Sequence, residues 1–552
     1  GERAIIPPLG GLNVSIQSPK PAGETSVVIY IDNIAYQVVG QPAIETGTTV
    51  NFISRNETNT PIFSDSLEPL GISADGNLVL FQEYAADLTN ANLYLRNMTT
   101  QTSISINDEW TRVAALSADG STVAFSSRTR DGEIDIYNVN TGLLEEGVIS
   151  AAANQLDSNP QVNLDRITHL SISASGRFVL FTTRASLDGR PELKTDSGTA
   201  SRGGRILYLY DKLAKSLERI STDSYGALPS SRGNGTAPGV VMAAISADGR
   251  YVAFEASYKG LAANDANIFY RNIFLKDRKT QETTVIGRAL NNSIPSTDTG
   301  PALSAITTDG KYVYFSGLAA YFAPEYRDPG GGVGPTVDLR YSVESDDIEV
   351  VAPVSGSEEL VHGKQINNET MSLNGEYIFF EKYNDVVNSE GIIGRFDKDS
   401  SAGDGLWGST PVYRANMLTD TIEYATKSDQ NNAIHALRFA PVFFTSGDGR
   451  YVVVRSEDNK IAPPDALAQS HKKLFRIDLG TGLTLSDSDN DGYIDYADAF
   501  PFDDFEARDS DWDLIGDLAD NDDDNDFLPD EYELDNDYNP LFPFDGLEDR
   551  DN

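Results

Sequence analysis

Ile72-Ser73-Ala74-Asp75-Gly76, followed by Leu78-Val79-Leu80-Phe81, is one of seven copies of a single pattern along the chain. Close copies run from Leu116 to Phe125, Ile172 to Phe181 and Ile245 to Phe254; looser ones run from Ile306 to Phe315, Met371 to Phe380 and Thr445 to Val454. The Asp-Gly pair supplies the positive φ angles of a tight hairpin, so the residues before it read as one strand (A) and the apolar run after it as the next (B). Asp119-Gly120, Asp248-Gly249, Asp309-Gly310 and Asp448-Gly449 repeat this turn, and Ser175-Gly176 and Asn374-Gly375 stand in for it. An aromatic-aliphatic strand C follows, as in Ile134 to Val139, Ile206 to Tyr210, Ile268 to Leu275 and Leu474 to Leu479. A shorter strand D completes the unit, as in Leu217 to Ile220 and Thr283 to Ile286.

Strand B is apolar at nearly every position, as in Tyr251-Val252-Ala253-Phe254, which is expected where both faces of a sheet are covered. Repeated four-stranded units stacked side by side cover them, so the expected fold is an all-β, seven-bladed β-propeller. Thr48 to Ser54 is predicted to be a displaced outer strand that completes the seventh blade; if residues 26–39 also join, the count becomes eight. The expected organisation is an extended arm or small β-module at 1–47, the propeller at 48–485, and a separate region at 486–552. The A–B and C–D turns share one end of such a ring. Every long insertion (184–205, 317–337 and 383–411 between B and C; 150–166, 221–239 and 288–300 between D and A) falls at the other end, leaving one face plain.

The pattern (Ile/Leu)-Ser-Ala-Asp-Gly-x-x-Val-x-Phe, with a strand C such as Ile134-Asp135-Ile136-Tyr137, resembles the repeat of Tol-type periplasmic propellers and their WD-repeat-like relatives. The resemblance spans most of 66–485 and implies the fold. It says little about activity, because the matching residues are turn and core positions.

Charge separates the tail from the rest. The formal charge is −41, and residues 486–552 hold 26 Asp or Glu against two Arg. Nucleic acid and anionic membranes are poor partners for such a surface. No run is long and apolar enough for a membrane helix, and the absence of Cys excludes disulfides and Cys-ligated zinc. Gly1-Glu2-Arg3 carries neither a signal sequence nor an initiator Met, so the chain reads as processed or trimmed.

In the tail, Asp487, Asp489, Asp491, Asp495 and Asp498 occupy positions 1, 3, 5, 9 and 12 of a cation-binding loop. Gly492 stands at position 6, and Tyr493 offers its carbonyl at 7. The spacing returns in Asp509, Asp511, Asp513, Ile515, Asp517 and Asp520, and again in Asp522, Asp524, Asp526, Leu528, Asp530 and Glu533. Leu514 and Phe527 replace the glycine in these two loops. Hard oxygen ligands without His or Cys favour Ca²⁺. Segments such as Ala499-Phe500-Pro501-Phe502 are not helix pairs, so the loops are not EF-hands; they resemble the calcium-binding repeats of thrombospondin type 3 over roughly 487–533.

No catalytic motif emerges. His169, His362, His435 and His471 are scattered, and neither a Gly-x-Ser-x-Gly elbow nor a phosphate loop is present. Tyr321, Tyr326, Arg327 and Trp407 are loop candidates for contact with a glycan or protein. The expectation is a secreted, calcium-stabilised, non-catalytic bacterial propeller acting in extracellular adhesion, matrix or surface assembly, filaments included. Its expected location is extracellular in preference to periplasmic. Its partners would be further copies of itself, joined as an oligomer or polymer, or extracellular protein or glycan. The alternative is a calcium-dependent extracellular hydrolase or lyase acting from the loop-rich face.

Overall fold

The hairpin turns explain why the motif needs each of its residues. In the first copy the Leu78 amide donates to Ser73 Oγ at 2.9 Å, and the Asn77 amide donates to Asp75 Oδ1 at 2.9 Å. Ser246 and Asp248 hold Tyr251 and Arg250 in the same way, as Ser446 and Asp448 hold Tyr451 and Arg450. Gly76 has φ 72°, in the left-handed region, and a Cβ there would fall within 3.0 Å of the Tyr451 ring in a different sheet. Glycine is required twice over, by backbone conformation and by the approach of the neighbouring sheet.

The computed structural model describes residues 49–543 apart from several stretches, chiefly 157–165, 189–203, 230–238, 263–270, 289–300, 323–335, 352–369, 395–411 and 427–442, with most of 457–471. Among the described residues the protein is all-β in its main body, with six four-stranded antiparallel sheets, one three-stranded sheet and a two-stranded hairpin. The first sheet runs Leu67–Ile72, Leu78–Tyr84, Ala91–Asn97, Thr102–Asn107 in simple up-and-down order. The three-stranded sheet keeps only a single bridge, Met371 to Ile378, where its strand A would lie. Strand B is buried along most of its length, fully so in Phe178–Thr183, as its apolar run requires.

The expected outer strand is present. Thr49–Phe52 pairs antiparallel with Lys473–Asp478, Thr49 opposite Asp478 and Phe52 opposite Phe475, in the sheet of the last repeat. Two segments more than four hundred residues apart are thereby joined.

At six of the seven junctions between successive sheets, the turns are linked by backbone hydrogen bonds. Ala74 N donates to Ala118 O, Asp119 N to Ala174 O, Ala247 N to Thr308 O, Thr308 N to Leu373 O, Leu373 N to Gly447 O and Asp448 N back to Ala74 O. Arginines from strand C add to the linkage: Arg476 donates to Gly76 O and Arg414 to Gly449 O, at 2.6 and 2.7 Å. The innermost strands surround an axial cavity of about 160 Å³ lined by Ile72, Leu116, Ile172, Ile245, Ile306, Met371 and Phe444 among others. Sheets arranged about an axis in this way are the blades of a β-propeller.

The connections depart from expectation at two places. The insertion read as 150–166 begins with a helix, Val148–Leu156, whose first amides, Ile149 and Ser150, donate to Glu133. The insertion at 383–411 carries the small hairpin Val386–Asn388 with Gly391–Gly394. Residues 1–47, with the strand expected at 26–39, lie outside the described residues, as do His362, His435, His471, Tyr326, Arg327 and Trp407. His169 is described: it begins its strand, faces the axial cavity, and its Nε2 lies 2.9 Å from Ala243 O. Burial depresses its pKa, which suits a structural imidazole. No helix among the described residues is long and apolar enough to cross a membrane.

Candidate metal centres

Three loops in the tail fold in one way because their spacing places the same donors and acceptors in register. In the first, Ser488 N and Oγ donate to the two oxygens of Asp495 at 2.8 and 2.9 Å, Gly492 N donates to Asp487 Oδ2, and Tyr493 N to Asp491 Oδ1. In the second, Ser510 N and Oγ donate to Asp517, Leu514 N to Asp509 Oδ2 and Ile515 N to Asp513 Oδ1. In the third, Asp523 N donates to Asp530, Phe527 N to Asp522 Oδ2 and Leu528 N to Asp526 Oδ1. Leu514 and Phe527, which replace the expected glycine, nonetheless take φ of 77° and 76° and turn their side chains to solvent. The turn is therefore kept without glycine, at a backbone cost of about 1 kcal/mol each.

Positions 1, 3 and 5 converge in every loop. One carboxylate oxygen from each of Asp487, Asp489 and Asp491 lies within 4.8 Å of the others, and the same holds for Asp509, Asp511, Asp513 and for Asp522, Asp524, Asp526. Position 9 does something different. Asp495, Asp517 and Asp530 accept from the residue at position 2 and so tie the loop shut. At position 12, Asp498 keeps one buried oxygen without a hydrogen-bond partner, while Asp520 accepts from the Asn521 and Asp522 amides. Glu533 is fully buried, and its charge acts on Asp524. It sits in a short helix, Asp530–Asp535, that overlaps the end of the third loop.

Crowded carboxylates resist ionising together. Burial, with neighbouring acids adding to it, pushes Asp498 and Asp511 up to about 6, Asp523 to about 7 and Asp524 to about 8. A cation supplies the opposite charge that would restore their ionised forms.

The tail lies against the plain face of the propeller, where the A–B and C–D turns gather. Trp512 Nε1 donates to Asp248 O at 3.2 Å, Arg278 stacks 5.3 Å from the Trp512 ring centroid, and Lys279 donates to Trp512 O. Arg177 donates to Ser510 Oγ at 3.0 Å, and Asn539 Nδ2 to Ala214 O at 2.7 Å. Positions 2 and 4 of the second loop thus grip the propeller while its odd positions gather the carboxylates. Nothing in the ligand pattern requires a Trp at position 4, and that residue was the sequence signal for docking. Between tail and turns lies a cleft of about 880 Å³.

No protein-family model and no curated protein matches the chain. Solved structures of like fold include an oligogalacturonate lyase in complex with manganese, at 11% identity and TM-score 0.41 over 78% of this chain and 96% of that one. TolB from Acinetobacter baumannii aligns at 13% identity and TM-score 0.31, covering 68% of this chain and 62% of that one. The β-propeller domain of the trilobed protease from Pyrococcus furiosus aligns at 11% and 0.38, covering 71% and 91%. TolB and the protease domain are like this chain in having a β-propeller fold. These likenesses also correct the functional expectation: structures of this kind include the lyase and acylaminoacyl peptidases, which are enzymes, so the reading as a non-catalytic adhesion or assembly protein is withdrawn. That reading rested on the lack of a recognisable catalytic motif beside the acidic tail; the repeat residues are turn and core positions, which serve enzymes and non-enzymes alike.

Proposed function

We propose that the chain is a seven-bladed β-propeller (48–485) whose C-terminal region (486–552) takes up Ca²⁺ in three thrombospondin type 3-like loops and, so filled, caps the plain face. The ligands would be the eighteen residues set out above, with Tyr493, Ile515 and Leu528 contributing carbonyls. The observation that carries this is in the third loop. Asp524 and Asp526 are 9% and 8% exposed, converge on one point with Asp522, and each leaves an oxygen without a hydrogen-bond partner among the described residues. Buried carboxylates in that state are costly unless a cation joins them. An all-oxygen set with room for six or seven ligands suits Ca²⁺ better than Mg²⁺. Support for the blade count comes from six turn-to-turn bonds, the last of which returns from Asp448 to Ala74. Such loops suit a secreted or cell-surface protein, where calcium is abundant. Protease digestion with and without calcium tests the reading: the tail should resist cleavage only in calcium, and equal rates would refute it.

A second reading, a calcium-dependent hydrolase or lyase acting from the loop-rich face, is favoured by Asp338. This carboxyl is 4% exposed, sits near the start of Thr336–Ser342 just after a long B–C insertion, and burial pushes it up to about 8. A carboxyl that stays protonated at neutral pH suits a general acid. Turnover of acidic polysaccharide or N-acylated peptide that disappears in Asp338→Asn would support it; unchanged turnover would exclude Asp338 from the chemistry.

A further inference from the structure

The cleft of about 880 Å³ between tail and propeller is lined by residues of several motif turns on one side and of the first two tail loops on the other. Its cations divide into two kinds. Arg177 is paired with Asp211, Arg250 with Asp277 and Lys311 with Asp309, so each is neutralised within its own sheet. Lys212 and Arg508 are not. Lys212 Nζ donates to Thr122 Oγ1 at 2.7 Å and Arg508 Nη2 to Tyr493 OH at 2.9 Å, and neither makes an ion pair among the described residues. The chain has 84 acids for 43 Lys and Arg, so carboxylate partners are abundant, yet these two cations line one cleft without one.

They also act on each other. Burial lowers the Lys212 pKa; the Asp119 carboxylate is the largest charge opposing this, and the Arg508 charge adds to the lowering against the lesser pull of Asp211 and Glu145. Like charges from two separate elements, a C–D turn and the segment before the second tail loop, are thus brought close enough to repel. The Asp119 carboxylate beside them is engaged by Ser117 Oγ and the Ser121 amide through one oxygen. The other acids on the tail side of the cleft, Asp495, Asp498 and Asp509, belong to the cation loops, and ions bound there would offset their charge. An anion lying between Lys212 and Arg508 relieves the repulsion, and the Tyr493 ring beneath Arg508 supplies an apolar wall.

We propose that this cleft binds a small anion bearing a carboxylate or phosphate group, held by Lys212 and Arg508, and that it does so when the first two tail loops carry their cations. The inference rests on the calcium reading above. Isothermal titration of the full, calcium-saturated chain with glucuronate, glucose 6-phosphate and glucose tests it: one or both acids should bind, glucose should not, and the stronger acid identifies the preferred group. Lys212→Gln and Arg508→Gln should each weaken binding at least tenfold while calcium uptake, titrated separately, is unchanged. Equal binding of glucose, no binding of either acid, or unchanged affinity in both variants would overturn the proposal. Anion binding that persists at full strength in chelator would overturn its dependence on calcium, whereas absence of calcium uptake would instead defeat the reading beneath it.

Discussion

Gly76 and Gly226 share one backbone conformation and differ in what surrounds them, so alanine at each separates two costs. Both have φ 72°, and alanine in that region costs about 1 kcal/mol at either site. The gain from a stiffer unfolded chain is the same for both and cancels. At Gly226 nothing lies within 4 Å of the added Cβ. At Gly76 it would press into the Tyr451 ring, which Arg476 covers from 4.3 Å while donating to Gly76 O. Overpacking of that kind adds about 1–3 kcal/mol, so Gly76→Ala should lose roughly 3 kcal/mol in total and Gly226→Ala about 1. Chemical denaturation followed by tyrosine fluorescence reads the difference as a shift in midpoint. Equal shifts for the two variants would mean that the last sheet does not pack against the first, and the ring would be open there.

Trp512→Ala should release the tail. The variant loses a hydrogen bond and a cation–π contact, together about 2 kcal/mol, so the undocked population should rise roughly thirtyfold, seen as faster hydrogen exchange across 509–520 in calcium. Alanine would take over the φ of 60° that Trp512 already holds, so backbone strain is unchanged by the substitution. Asp338→Asn should stabilise the protein in a pH-dependent way. A buried acid raised from 3.8 to about 8 costs stability once the unfolded chain ionises, a cost that grows as pH rises until the folded group also ionises. The gain should be near zero at pH 3 and about 4 kcal/mol at pH 7; identical gains at both would contradict the shift. Asp526→Asn should remove one calcium ion of three and leave the docked second loop protected from protease.

The propeller was legible because its signals are local. Each motif turn is held by bonds within six residues, Ser73 to Leu78 being typical, and the same turn recurs. The outer strand Thr49–Phe52 was inferred from its place before the first repeat rather than from any pairing signal. What escaped the sequence depends on distant residues. The helix at Val148–Leu156 takes its N-terminal cap from Glu133, outside the window in which a cap is normally sought. Docking of the tail rests on Arg177, Arg278 and Lys279, more than two hundred residues from Ser510 and Trp512. In the loops the ligand spacing predicted the convergence of positions 1, 3 and 5. It did not foresee that Asp495, Asp517 and Asp530 close the loop by accepting from position 2. Nor did it foresee that Leu514 and Phe527 would adopt a glycine-like turn.

Calcium stoichiometry is the most direct measurement. Equilibrium dialysis of the full chain at physiological ionic strength, with metal analysis of the retained protein, should find three Ca²⁺ per chain, retained in excess Mg²⁺ and lost with all three loops mutated at their first aspartates (Asp487→Asn, Asp509→Asn and Asp522→Asn). A chain that retains no calcium, or binds as much after those substitutions, would contradict the account.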